Sequence, residues 1–473
     1  MNVFKWSAGA LVVCAMSAGA ASAQYGYGQP TPASPDRDYT SYFAQDEPQA
    51  SPSDRPVEEA PEASAGGAAN GAAAAGGNGA VAYGCDGACG GGCASCCALS
   101  CPEENPWRLF PCGLGCGVNI YGWASAGYTA NFSDPADNFN GPVTFNDRAD
   151  EGQLNQLYLV MEKEIDNGGC GWDLGGRVDL LYGTDHRFTT SNGLEDNWNE
   201  DSRFYGVAMP QLYAEVAYND LSVKLGHFYT IIGYEVVPAT GNFFYSHAYT
   251  MQYGEPFTHT GALASYAYSD TTTVYGGFDR GWDNWEDNND DLSFLGGFSW
   301  DGGNGTTLAI SGTAGEEPSA ISDADDRFLY SVVYSNELTD RWTYVFQHDN
   351  GHQDNGAGAG QDAEWYGINQ YLFYKINCCW TFGVRGEWFR DDDGVRVTGL
   401  GEGNAIEGES FVGNFYELTA GLNYKPNDNF VFRPELRYDW YDGAADPDTG
   451  DLPYDDGTDD DQLTAAFDVI FLY

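Results

Sequence analysis

The stretch WDLGGRVDLLY, residues 172–182, decides the fold. If it is extended, Trp172, Leu174, Val178, Leu180 and Tyr182 share one face, and Asp173, Arg177 and Asp179 share the other. Successive side chains of a strand point to opposite faces, so this is a strand with one apolar and one charged side. The pattern returns in WTFGVRGEWFR, residues 380–390, where Trp380, Phe382, Val384 and Trp388 oppose Thr381, Arg385 and Glu387. It returns again in FVFRPELRYDW, residues 430–440, where Phe430, Phe432, Leu436, Tyr438 and Trp440 oppose Arg433, Glu435, Arg437 and Asp439. Weaker versions occupy 212–218, 342–349 and 416–424. One such strand could belong to a soluble sandwich or to a barrel in lipid. The number of repeats and the connections between them separate the two.

Sixteen alternating segments are predicted, starting near Gly117, Asn155, Trp172, Gln211, Leu221, Gly261, Thr272, Leu292, Thr306, Arg327, Trp342, Glu364, Trp380, Phe415, Phe430 and Leu463. Their connections alternate between long and short. The long ones include 132–152, 184–209, 231–260, 283–291, 349–362, 391–413 and 441–462, and the short ones include 166–171, 219–220, 269–271, 301–305, 377–379 and 426–429. A sandwich has no reason to sort its loops in this way. An outer-membrane barrel does, with short periplasmic turns and long external loops. The chain ends FDVIFLY, an apolar, aromatic-tipped strand suited to closing a barrel against lipid. The expected fold is therefore all-β: a transmembrane antiparallel β-barrel of about 16 strands over 117–473, with a disordered N-terminal extension.

Composition narrows the function. The chain carries 20 Lys+Arg against 70 Asp+Glu, a formal charge of −50, which argues against nucleic acid as a partner because phosphate binding needs a basic surface. Lys5, the small apolar run 8–20 and Ala21–Ser22–Ala23 read as a signal peptide over 1–23, so the chain is expected to be exported. Residues 24–84 are rich in Pro, Ala, Gly, Ser and acidic side chains and read as a low-complexity linker. The segment 85–116 is cysteine-rich: Cys85, Cys89, Cys93, Cys96, Cys97, Cys101, Cys112 and Cys116. Zinc and disulfides both use such density. Only Cys93 and Cys96 have the Cys-x-x-Cys spacing, and an exported chain favours disulfides. Cys170, Cys378 and Cys379 fall in short turns and join the disulfide candidates.

The region 226–261, GHFYTIIGYEVVPATGNFFYSHAYTMQYGEPFTHTG, resembles the signature of the β-barrel porin family described as OmpL-like. RVDLLYGTD, residues 177–185, and PFTHTG, residues 256–261, are similar to further pieces of it, and the resemblance covers roughly 117–473. It implies a porin in the bacterial outer membrane and says little about the solute. General porins fold their third external loop into the lumen, and loop 231–260 occupies the corresponding place. It is crowded with aromatics and follows neither a strand nor a helix period. The expectation is a constriction in which Glu235, His247, Glu255 and His259 face the path, opposite a pore lined by Asp173, Arg177, Asp179, Arg385, Glu387, Arg433, Glu435, Arg437 and Asp439.

Sharper chemistry finds less support. Ser246–His247 has no nucleophile elbow or spaced triad around it, so no enzyme is expected. The acidic runs 287–291, 391–394 and 446–461 lack the twelve-residue EF-hand pattern and read as a solvated, negative rim. Ca²⁺ is the one ligand they could take, and no cofactor or other metal is expected. The reading is a passive diffusion porin for small polar or cationic solutes, with lipid as its surroundings. Its further partners would be a second copy or a disulfide-linked envelope protein. The alternative is a plugged structural or adhesive barrel that binds partners through its acidic loops and cysteine-rich segment.

Overall fold

The computed structural model describes residues 107–110, 117–167, 169–195, 198–199, 204–319, 322, 325–400, 406–446 and 450–473. The signal peptide, the linker and the cysteines from Cys85 to Cys116 lie outside these. Alternation produces strands along the rest of the chain: β1 (Asn119–Asn131), β2 (Gly152–Lys163), β3 (Trp172–Gly183), β4 (Gly206–Tyr218), β5 (Leu221–Tyr229), β6 (Thr258–Ser269), β7 (Thr272–Asp279), β8 (Ser293–Asp301) and β9 (Thr306–Glu317). There follow β10 (Asp325–Thr339), β11 (Trp342–Gly358), β12 (Gln361–Asn377), β13 (Trp380–Asp391), β14 (Thr398–Leu400), β15 (Ile406–Ser410), β16 (Gly413–Asn427), β17 (Phe430–Gly443) and β18 (Asp461–Leu472).

All of them except β14 and β15 form one closed barrel of sixteen strands, each antiparallel to its chain neighbour, and β18 returns to pair with β1. The closing register sets Trp123 opposite Leu472 and Asn131 opposite Thr464, so no sheet edge is left open. Closure satisfies every strand's backbone groups without water, which is what a lipid environment demands.

The outward face is apolar. Leu157, Leu159, Leu180, Leu212, Leu225, Phe278, Leu418, Leu436 and Phe467 are all exposed on it. Aromatic pairs mark both margins of this band. Trp172 with Tyr218, Trp342 with Tyr374 and Trp380 with Tyr424 sit cross-strand beside the short turns, with ring centroids 4.6, 4.6 and 4.3 Å apart. Tyr416 and Trp440 stack at 5.1 Å toward the long-loop end. Two aromatic girdles around an apolar band fit a barrel spanning a bilayer.

The connections differ from the sequence reading in two places. Residues 349–362 were expected to be a long loop, because Asp, Asn and Gly dominate there. Instead β11 runs to Gly358 and β12 begins at Gln361, leaving residues 359–360 as the turn. Pairing with β10 as far as Gln353, and with β12 to Gln353 and again at Gly358, outweighs the poor intrinsic propensity. Loop 391–413 also holds secondary structure, the β14–β15 hairpin.

Candidate functional site

The chain between β5 and β6 folds into the barrel. A backbone bond from Thr230 N to Phe257 O, 2.9 Å, closes its neck. Within it Asn242 acts as a staple: its Oδ1 accepts from Val236 N at 2.9 Å, and its Nδ2 donates to the carbonyls of Val236 and Pro238 at 2.5 and 3.2 Å. A single 3₁₀ turn, Ala239–Gly241, and a π turn, Thr250–Gly254, complete the path. Gly233 adopts φ +86°, and a Cβ there would stand 2.0 Å from Glu255 Oε2, so the bend requires glycine. Residues 241–256 are buried throughout.

Buried backbone needs partners, and the barrel wall supplies them. Glu435 of β17 accepts from Tyr245 N and Ser246 N at 2.9 and 3.1 Å. Glu387 of β13 accepts from Tyr249 N and Thr250 N at 2.6 and 2.7 Å. Arginines serve the carbonyls. Arg433 donates to Ala239 O and Asn242 O at 3.0 and 2.7 Å, Arg385 to Ser246 O at 2.8 Å, and Arg437 to His247 O at 2.5 Å. The charged faces of β13 and β17 thus form a ladder that holds an irregular segment which could not pair with itself.

The ladder is itself neutralised. Arg433 pairs with Asp468 at 2.7 Å, Arg437 with Asp439 at 2.8 Å, and Arg385 with Glu417 at 2.5 Å and Glu235 at 2.7 Å. On β3, Arg177 bridges Asp179 at 2.7 Å and Glu162 at 3.4 Å. Asp173 stands apart near the short turns, paired with Lys163 at 3.1 Å. All nine wall residues face inward, and all but Asp173 are buried.

The four loop candidates are packed rather than open to a path. Glu235 accepts from Arg385, from Tyr371 Oη at 3.0 Å and from Ala248 N at 3.0 Å. Burial opposes its ionisation, but the Arg385 charge, with hydrogen bonds from His247 and Ala248 N, prevails and holds its carboxyl below the usual range. His247 Nδ1 lies 3.1 Å from Glu235, and burial pushes the ring's affinity for protons down despite that carboxylate. Glu255 accepts from Gln347 Nε2 at 2.5 Å, and burial, with Asp349 adding to it, raises its carboxyl well above the ordinary value. His259 lies in β6, not in the loop, with Nδ1 3.2 Å from Asp279. Ser246 Oγ is held by Arg385 Nη2 at 3.0 Å, so the Ser246–His247 neighbours form no triad.

Sequence reasoning missed Glu417, Asp468, Glu162, Tyr371 and Gln156. The signal was available: each sits at an inward position of its strand, and Asp468 is the lone charge in FDVIFLY. External loops also pack onto this inward-folded loop. Tyr253 donates to Pro142 O, Thr144 bonds Gln252, and the Tyr249 and Tyr454 hydroxyls meet at 2.8 Å. Between loop and wall a small polar cleft remains, lined by Ser125, Asn155, Gln156, Asp185, His247 and Arg433. Burial raises the Asp185 carboxyl to about 6, against hydrogen bonds from Asn155 and Gln156. Of the acidic runs, 391–394 serves its own turn: Asp391 accepts from Gly394, Val395, Arg396 and Val397 N–H at 2.7 to 3.2 Å. Cys170 is exposed in the β3-side turn, and Cys378 and Cys379, sulfurs 3.8 Å apart, form the β12–β13 turn.

Several solved structures align with the barrel. The outer membrane channel DcaP of Acinetobacter baumannii aligns with a TM-score of 0.50 at 12% identity, over 75% of this chain and 97% of that one. OmpT of Vibrio cholerae aligns at 0.48 and 11%, over 75% and 97%. An anion-selective porin from Comamonas acidovorans aligns at 0.48 and 9%, over 75% and 99%. No curated protein matches the chain. Residues 117–473 match the model of the family described as "Putative beta-barrel porin-2, OmpL-like", and the chain belongs to that family of outer-membrane barrel porins.

Proposed function

We propose that this porin passes small polar or cationic solutes by passive diffusion, with loop 231–257 as its constriction. The observation that carries the reading is the loop's docking inside the barrel on Glu387, Glu435, Arg385, Arg433 and Arg437. Because those arginines are paired with carboxylates and loop carbonyls, they offer little free positive charge to attract anions. The molecule's −50 charge then sets the field at the mouths, drawing cations in and turning anions away.

Planar-bilayer recording tests this. Small, stable, ohmic steps are expected, with a reversal potential in a KCl gradient on the cation side. The preference should fade at high salt, where the screening length falls to about 3 Å at 1 M. Anion preference would mean that lumen arginines dominate. The near-complete burial of the loop supports a second reading, a plugged barrel that binds partners at its surface. Silence from correctly folded protein would favour it.

A further inference from the structure

The β11–β12 hairpin outgrows the membrane. Each strand has 17 residues, whereas a tilted strand needs about 9–11 to cross. The surplus stands at the long-loop end and carries an unusual group of side chains. His352 and Asp354 are two apart on β11, which puts them on the same face. His352 pairs directly with Glu364 in the β11–β12 register, which shifts beyond Gln353, and there Asp362 reaches across the hairpin to Asn355, the neighbour of Asp354. Carboxylates brought this close repel unless something compensates them. Among the described residues, no lysine or arginine forms an ion pair with Asp354, Asp362 or Glu364. What meets them is the imidazole: His352 Nε2 lies 3.0 Å from Asp354 Oδ1, and Nδ1 lies 3.7 Å from Glu364 Oε1.

We propose that His352, Asp354 and Asp362 form a surface site for a divalent transition-metal ion of the zinc type. One ligand atom from each residue already lies within 4.8 Å of the others. Tetrahedral bonds of about 2.0–2.2 Å place ligand atoms roughly 3.3 Å apart, so modest rotations of exposed side chains complete the set. Asp362 is pre-aimed, since its Oδ1 accepts from Asn355 N at 3.1 Å. A nitrogen with two carboxylate oxygens suits zinc, copper or nickel rather than calcium, which prefers six to eight oxygens. That distinguishes the site from the all-carboxylate runs elsewhere on the rim. Solvent fills the remaining positions, so the ion is held at the mouth in exchangeable form.

The test is calorimetric titration of ZnCl₂ into the full-length protein in detergent, with its cysteines alkylated so that thiolates cannot compete. One equivalent per chain is expected to bind, with no comparable heat from CaCl₂. His352→Ala, Asp354→Asn and Asp362→Asn should each weaken binding tenfold or more while keeping folded, heat-modifiable migration in gels, and any variant that keeps that migration reads the site. No saturable binding by the alkylated wild type, or binding undiminished in the folded variants, would overturn the proposal.

Discussion

Arg385 shows how one side chain sets the position of a whole loop. It is fully buried, bridges Glu417 on the wall to Glu235 on the loop, and also holds Ser246 O. Removing one partner from a buried ion pair strands the others and costs about 3–5 kcal/mol. Here water can reach the stranded carboxylates if the loop leaves, so the cost falls on docking rather than on the barrel. Arg385→Ala should therefore raise single-channel conductance while keeping folded migration, and Arg385→Lys should give a smaller rise because an ammonium cannot reproduce the fork. Unchanged conductance in Arg385→Ala would remove the residue from that role. Asp185 supplies the pH dependence. Its carboxyl, raised to about 6 by burial, is neutral in the cleft below that pH and charged above it. For stability the sign is that of a raised acid: its contribution is full below the ordinary value of 3.8 and is lost as pH rises through about 6. For permeation, the cleft gains a negative charge over the same window. Cation preference should step up between about pH 5 and 7, and Asp185→Asn should abolish the step while leaving the rim-driven preference. Neither role was legible from sequence. Arg385 could be placed on the charged face of WTFGVRGEWFR, but its partners lie 32 and 150 residues away in the chain.

Elements were far more legible, and the pattern of small errors has a physical cause. The expected starts Trp172, Leu221, Thr272, Thr306, Trp342, Trp380 and Phe430 coincide with those observed. All of them follow short turns, where polar residues interrupt the alternation abruptly. The starts that follow long loops are displaced: β4 begins at Gly206 rather than Gln211, and β6 at Thr258 rather than Gly261. There the strands run on past the bilayer into polar sequence that loses the alternating signal but keeps its backbone pairing. The loop between β5 and β6 was recognisable because it fitted no period at all, and its inward fold was expected only from its place, that of the third external loop in general porins. Its docking now gives the deletion a definite outcome. Without 242–255, Glu387, Glu435, Arg433 and Arg437 lose the backbone groups they hold. Water replaces those groups, so the barrel persists with a wider lumen lined by freed charges. Conductance should rise several-fold, and reversal potentials should become sensitive to substitution of the freed arginines. A folded deletion variant of unchanged conductance would place the constriction elsewhere.

At the scale of the molecule, the two ends of the barrel have different neighbours. The long-loop end is acidic, and the short-turn end receives the N-terminal chain. Trp107 reaches the β16–β17 turn, donating its N–H to Asn429 Oδ1 at 2.8 Å and accepting from Asn429 Nδ2 at 2.7 Å, with its ring stacked on Phe471 at 5.9 Å. Cys170, Cys378 and Cys379 lie in turns of the same rim. If export removes residues 1–23, as the sequence reading expects, twelve cysteines less Cys14 leave eleven, an odd number that cannot pair wholly within one chain. Cys378 and Cys379 are adjacent, which disfavours a bridge between them and directs each to a more distant partner. The expected result is at least one disulfide from the segment 85–116 to a rim cysteine, tying the extension to the barrel, and one thiol left to join a second chain. Peptide mapping under non-reducing conditions, on protein purified from cell envelopes, checks this. Bridges confined to 85–116 would remove the tether but leave the rim topology intact. Eleven free thiols or zinc thiolates would contradict the oxidising compartment in which short turns of an outer-membrane barrel must lie.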